Sequence, residues 1–256
     1  NHLMFDDSIK ANCFIPQNID ILFTNRSGGY SLPPYDSFNL ATHVGDNLNV
    51  VERNRGLLIE KLPNQPIWLN QIHGSEVFDA DVWNGNLIPT ADAAVTTKKN
   101  RVLAILTADC LPILLSTTDG SVIGAVHAGW RGLASGVIEK TVELMREKII
   151  IQDSQQKIRA YFGVAIGPRS FEVGEDVVSV FVDYDPRALK SFAPSKQAGK
   201  YLADIYGLAK DRLHAVGIND IDGGDNCTYE NMNFFSYRRD RITGRMASFI
   251  WIKNIS

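Results

Sequence analysis

The middle of the chain carries its clearest hydrophobic pattern. Val102–Thr107, Leu111–Ser116 and Val122–Val126 are apolar runs, the signature of strands buried on both faces. Asp119-Gly120 lies between the second and third runs and is a strong hairpin signal. Leu133, Val137, Thr141, Met145 and Ile149 then recur at four-residue spacing, which predicts one helix with a continuous apolar side. Tyr161–Ile166 reads as another buried strand, closed by Gly167-Pro168. Towards the N-terminus, Ile19–Thr24 and Ile67–Ile72 read as strands, Asn25–Gly29 as a tight turn and Val50–Leu62 as a helix. Towards the C-terminus, Asp183–Lys200 reads as a polar loop with two prolines, Leu202–Val216 as an amphipathic helix and Met246–Ile252 as a strand. Strands and helices alternate without a strict βαβ rhythm. The pattern therefore predicts an α+β fold, a mixed β-sheet core with helices packed outside, in a single large domain.

Composition narrows the partners more than the fold. With 26 basic and 29 acidic residues the formal charge is −3, and the basic residues are scattered. Nucleic-acid backbones are poor partners for such a surface. No run approaches the roughly 20 apolar residues that span a bilayer. The first residues lack the basic and apolar segments of a signal peptide, so a cytoplasmic protein is expected. Asn1-His2-Leu3 before Met4 reads as a tag remnant, leaving 4–256 as the domain. Three cysteines argue for reduced thiols rather than a disulfide framework. Five histidines are too few for an oxygen-reducing cluster of several coppers.

The chemistry concentrates in Thr107-Ala108-Asp109-Cys110 and in Val126-His127-Ala128-Gly129-Trp130. A hairpin turning at Asp119-Gly120 pairs Pro112 with His127 and Gly129 with Cys110. Cys110 and His127 become same-face diagonal neighbours, roughly 7–8 Å apart at the backbone and able to converge on one ion. Pro112 is the awkward residue in that register, because proline tolerates only edges and bulges. A buried cysteine and a hydrogen-bonded core histidine would also satisfy the pattern. Two features weigh against that reading. Asp109 is expensive beside an apolar strand, and the glycine-rich turn after His127 leads into a helix whose start favours anions, with Arg131 ready to add a phosphate contact. A catalytic metal needs a third ligand, and spacing alone does not choose between His43 and His73.

These segments resemble the laccase-domain family, also called the polyphenol oxidase or peptidoglycan-editing-factor family. The resemblance rests on Asn70-Gln71-Ile72-His73-Gly74, Thr107–Pro112, His127–Gly132, Ala165-Ile166-Gly167-Pro168 and Phe235–Asp240 with Thr243-Gly244-Arg245. It implies a zinc ion held by His73, Cys110 and His127. Copper binds nitrogen and sulfur sites more tightly in general, so its displacement of zinc in vitro is an open question. It further implies phosphorolysis of purine nucleosides, methylthioadenosine included, and deamination of adenosine. The partners expected are nucleosides and phosphate, with no membrane, nucleic acid or obligate protein partner. Asp109 is the candidate general base, proton shuttle or ligand-orienting group. Arg26, Arg131 and Asn39 are candidates for binding substrate.

Three other readings use the same residues. Editing of wrongly loaded muramyl–amino-acid precursors is a related role in the family. A metal-free cysteine hydrolase would use Cys110 as nucleophile, His127 as base and Asp109 or Asn39 as the orienting group. A non-enzymatic protein would close the metal with a fourth ligand, for which Cys227 is the spare thiol.

Overall fold

The computed structural model describes residues 14–150 and 157–255. The expected tag residues 1–3 and Cys13 lie outside them. The strands are β1 (Ile19–Phe23), β2 (Val77–Asp79), β3 (Ala93–Thr96), β4 (Leu103–Thr107), β5 (Leu111–Thr117), β6 (Ile123–Ala128), β7 (Ile158–Phe162), β8 (Glu172–Gly174), β9 (Phe192–Pro194), β10 (Lys200–Ala203), β11 (Ile221–Asp222) and β12 (Met246–Ile252). The helices are α1 (Leu48–Gly56), α2 (Trp130–Ser135), α3 (Val137–Glu147), α4 (Glu175–Tyr184), α5 (Ile205–Ala215) and α6 (Tyr237–Asp240).

A six-stranded sheet in the order β11-β7-β5-β6-β3-β2 forms the centre. Its two outer pairings are parallel and its inner ones antiparallel, so the sheet is mixed. Alternation explains why its central strands are apolar at most positions on both faces. Leu111, Ile113 and Leu115 face Val137, Val142 and Met145 of α3 and Leu208 and Leu213 of α5. Leu114, Ala125 and Tyr161 face the other way, onto Ile21, Ile105 and Ile250 of the antiparallel sheet β1-β12-β4. The outer side of that second sheet is closed by Phe38, Leu40 and Leu58 against Phe249 and Trp251. A small antiparallel sheet, β8-β10-β9, packs with α4 at the margin of the helical layer. Among the described residues, no helix is long and apolar enough to cross a membrane.

The hairpin register is the expected one. Pro112 pairs with His127 and Leu111 with Ala128. The Pro112 carbonyl accepts from Gly163 N–H at 2.9 Å. Nitrogen and carbonyl of a strand residue point to the same side, so the donor that proline lacks would face the end of β7 rather than β6.

Several boundaries differ from the expectation, each for a local reason. The single helix expected from Leu133 to Ile149 is two, because Gly136 adopts φ 95° and ends α2 before α3 begins. α5 starts at Ile205 rather than Leu202, since Asp204 caps it by accepting from Gly207 N–H, and Leu202 belongs to β10. The helix expected to reach Leu62 stops at Gly56 and continues as turns, although Leu58 and Leu62 remain buried. Ile67–Ile72 makes isolated bridges at Ile67 and Asn70 instead of a strand. The expected polar loop at 183–200 is structured. Its first residues end α4, Pro186–Ser191 form a 3₁₀ turn capped by Asp185, and β9 and the first residue of β10 follow. The buried strand expected to run from Tyr161 to Ile166 lies earlier, as β7, and ends at Phe162.

Candidate metal centre

His127 sits near the end of β6, Cys110 just before β5, and His73 in the loop before β2. The hairpin brings the first two together, as its register requires. The ligand atoms of His73, Cys110 and His127 lie within 4.8 Å of one another. The two imidazole rings meet edge to face, with centroids 4.8 Å apart. Between the open choices of His43 and His73, the structure places His73 in the cluster; His43 lines the same pocket farther out.

Three features hold this arrangement. Gln71 donates to the Leu106 carbonyl at 2.8 Å and accepts from Leu106 N–H at 2.9 Å, so its amide pairs with β4 as a strand residue would. Asp92, 0% exposed, then gathers the loop, accepting from the backbone N–H groups of Ile72, His73 and Gly74. Gly129 leaves room for the donors, since a Cβ there would lie 3.0 Å from His73 Nδ1 and 3.1 Å from Cys110 Sγ. His73 and Asp109 both adopt positive φ, 60° and 107°, a strain of about 1–3 kcal/mol each concentrated at the site.

Asp92 also accepts from His127 Nδ1 at 2.7 Å, so that in the neutral imidazole Nε2 keeps its lone pair for a ligand. Without a metal, burial pushes the Cys110 thiol up, but the charge and hydrogen bonds of His127 and His73 outweigh it and hold the thiol at about 6. Burial lowers His127, yet the Cys110 charge and the Asp92 hydrogen bond raise it to about 9. A thiolate and two imidazoles form the mixed sulfur and nitrogen donor set that suits zinc-like ions. Three protein donors leave a coordination position for water or substrate. Cys227 supplies no fourth donor. Its sulfur accepts from Gly167 N–H at 3.1 Å and lines a separate depression.

The donors open into a cavity of about 450 Å³, within the range of small-ligand sites. Leu106, Ile166, Phe171 and Ile205 form apolar wall, and Arg131, Arg238, Arg245, His43 and Tyr237 form its polar side. Of the expected substrate residues, Arg131 lines the cavity, although the turn it belongs to opens only the six-residue α2. Arg26 does not line it: its guanidinium is spent on Asp36 and stacks over Phe235. Asn39 is fully buried, with its amide bonded to Ala41, Asp46 and Arg245 N–H. Asp109 lines the cavity, but its carboxylate accepts from Thr228, Ser236 and Arg238 N–H at 2.6–2.7 Å. Burial raises its carboxyl above the usual range despite those donors. Sequence reasoning missed Asp92, Gln71, Arg238 and Arg245 as site residues. An aspartate inside the apolar run 91–95 was the available signal for the first.

Fold and site together define a mixed-sheet α+β protein built around a three-donor metal-ligating pocket. A family model described as multi-copper polyphenol oxidoreductase laccase matches residues 20–253, and the chain belongs to that family. It is 48% identical to a Haemophilus influenzae protein named purine nucleoside phosphorylase, covering 96% of this chain and 99% of the relative. It is 47% identical to the Escherichia coli purine nucleoside phosphorylase YfiH, covering 93% and 95%. Among solved structures, a Neisseria meningitidis protein superposes with TM-score 0.85 at 42% identity, covering 93% of this chain and 96% of that one. YlmD from Geobacillus stearothermophilus superposes with TM-score 0.81 at 30% identity, covering 93% of each chain.

Proposed function

We propose that the protein is a zinc-dependent purine nucleoside phosphorylase of the cytoplasm. The observation that carries this reading is the convergence of His73, Cys110 and His127 in the lining of a cavity sized for a small ligand. The names of the relatives supply the substrate class. One donor set of this size suits a single ion, and the five histidines fall short of a copper cluster.

A bound zinc ion would supply Lewis acidity and an acidified water at the open position. The chain's own groups do the rest. Leu106, Ile166 and Phe171 exclude water from one side of the cavity, and Arg131 places positive charge at its rim. Phosphorolysis breaks the bond between the ribose C1′ and the purine nitrogen. A phosphate oxygen bonds to C1′, and the base leaves with a proton. The same pocket would accept methylthioadenosine. Deamination of adenosine would substitute water for phosphate and attack the base at the amino-bearing carbon, releasing ammonia. Incubating the protein with inosine tests the reading. Hypoxanthine and ribose 1-phosphate should form only when phosphate is present, and hypoxanthine with free ribose would contradict it.

A second reading draws on a specific observation. Cys110 held near 6 beside His127, itself oriented by Asp92, is also the arrangement of a nucleophilic cysteine. The metal-free protein then carries the activity, and chelation raises it. The zinc reading requires the opposite. Hydrolysis of muramyl precursors by either chemistry would show as amide cleavage of those substrates with no turnover of nucleosides.

A further inference from the structure

Three guanidinium groups reach one cavity. Arg131, Arg238 and Arg245 all line the pocket, and among the described residues none makes an ion pair with a carboxylate. Arg212 and Arg239 are paired, with Glu139 at 2.9 Å and Asp240 at 3.0 Å, whereas Arg55 spends its guanidinium on the Leu40 carbonyl and the Trp68 ring. The hydrogen bonds that Arg238 and Arg245 make with their side chains go to neutral carbonyls. Arg238 donates to Glu172 O at 2.7 Å and Arg245 to Thr243 O and Gly244 O at 3.1 Å, each through one terminal nitrogen. That leaves donors of both forks for something else. The Asp109 charge acts on Arg238 and Arg245, but among the described residues no salt bridge joins it to either guanidinium. Partly buried guanidinium donors without a direct acceptor are costly, and an oxyanion with several acceptor oxygens relieves the cost.

The backbones of Arg238 and Arg245 are themselves fixed. Arg238 N–H donates to Asp109 Oδ2 at 2.7 Å, and Arg245 N–H donates to Asn39 Oδ1 at 2.9 Å. Both acceptors are buried and fully engaged. Asn39, expected to bind substrate, and Asp109, expected to act as base, shuttle or ligand-orienting group, each hold the backbone of an arginine that lines the cavity. Arg245 lies near enough to Cys110 and Asp109 to feel both charges, so its fork and the metal donors border the same space.

We infer that Arg238 and Arg245 form a phosphate-type oxyanion subsite beside the metal donors, with Asn39 and Asp109 as the residues that position them. The inference rests on the proposed phosphorolysis for its biological sense but not for its test. The anion has two possible sources, free inorganic phosphate or the phosphate of a nucleoside 5′-monophosphate, and the chemistry recognised is the same.

The test is calorimetric titration of the zinc-loaded protein with inorganic phosphate and, separately, with inosine 5′-monophosphate. Arg245→Gln and Arg238→Gln should each weaken binding of the recognised anion about tenfold or more, while Arg245→Lys recovers part of it. Asn39→Ala should weaken it less, with zinc content unchanged. Melting temperature and zinc stoichiometry check that each variant is folded and loaded, and the lysine variants serve if a glutamine variant is not. Loss of phosphate binding assigns the site to the free anion, and loss confined to the monophosphate assigns it to a nucleotide. Binding equal to wild type in every arginine variant overturns the subsite, as does wild-type protein that takes neither anion. The phosphorylase reading fails separately: anion binding lost in the variants, with no purine nucleoside cleaved by wild type, keeps the subsite and discards that activity.

Discussion

The carboxylate of Asp92 joins two of the three metal donors. It accepts the Nδ1 proton of His127 at 2.7 Å and the backbone N–H of His73 at 3.0 Å. One side chain therefore fixes the tautomer of one imidazole and the backbone that carries the other. Asp92→Ala should lower zinc affinity by about 10–100-fold, with Asp92→Asn intermediate. Competition against a chelator measures this. Unchanged affinity would show that the ligands are held by packing alone.

What was legible in the sequence, and what was not, divides along the same line. β5, β6 and β12 are read from their apolar runs because both faces are buried, and the few polar residues within them, such as Ser248 and His127, are buried too. The approach of Cys110 to His127 follows from one turn dipeptide and the arithmetic of register, which pairs Pro112 with His127. α4 was hidden because Val177, Val178, Val180 and Val182 are β-branched and blur the helical period. Asp92, Arg238 and Arg245 were hidden for a different reason. Their roles come from contacts across 18 to 206 positions of sequence, which no local pattern records.

Gly129 is held to glycine by the metal donors, with His73 Nδ1 and Cys110 Sγ at 3.0 and 3.1 Å from a Cβ built there. Its φ of −72° is open to any residue, so Gly129→Ala carries no backbone strain. The substitution should reduce zinc affinity about tenfold by displacing the donors. The melting temperature of the metal-free protein should change little. Metal analysis beside a thermal melt separates the two effects.

Asp109 carries three hydrogen bonds that tie Thr228, Ser236 and Arg238 to the strand entry. Asp109→Ala leaves those buried donors without an acceptor and should cost about 3 kcal/mol or more of stability. Chemical denaturation reads this directly. A variant as stable as wild type but catalytically dead would instead make Asp109 the general base.

Asp81 ties the β3 end to α3. Burial would raise its carboxyl, but donors from Thr96, Thr97 and Lys148 outweigh this and hold it far below the usual carboxylate range. A folded pKa below the unfolded value of about 3.9 adds stability that is complete above that value. That stability is lost as pH falls towards the folded pKa. Asp81→Asn should therefore lower stability by about 1–3 kcal/mol at pH 7. The gap from wild type should narrow below about pH 4. A gap that widens with acid would contradict the assignment.

The central claim is that His73, Cys110 and His127 hold one ion on which nucleoside phosphorolysis depends. The most direct measurement is phosphate-dependent release of hypoxanthine from inosine while zinc is removed with a chelator and added back in substoichiometric steps. The rate should fall to background on removal and return in proportion to zinc, reaching its plateau at one ion per chain, with Cys110→Ala inactive throughout. Full activity in protein verified to be metal-free would contradict the account.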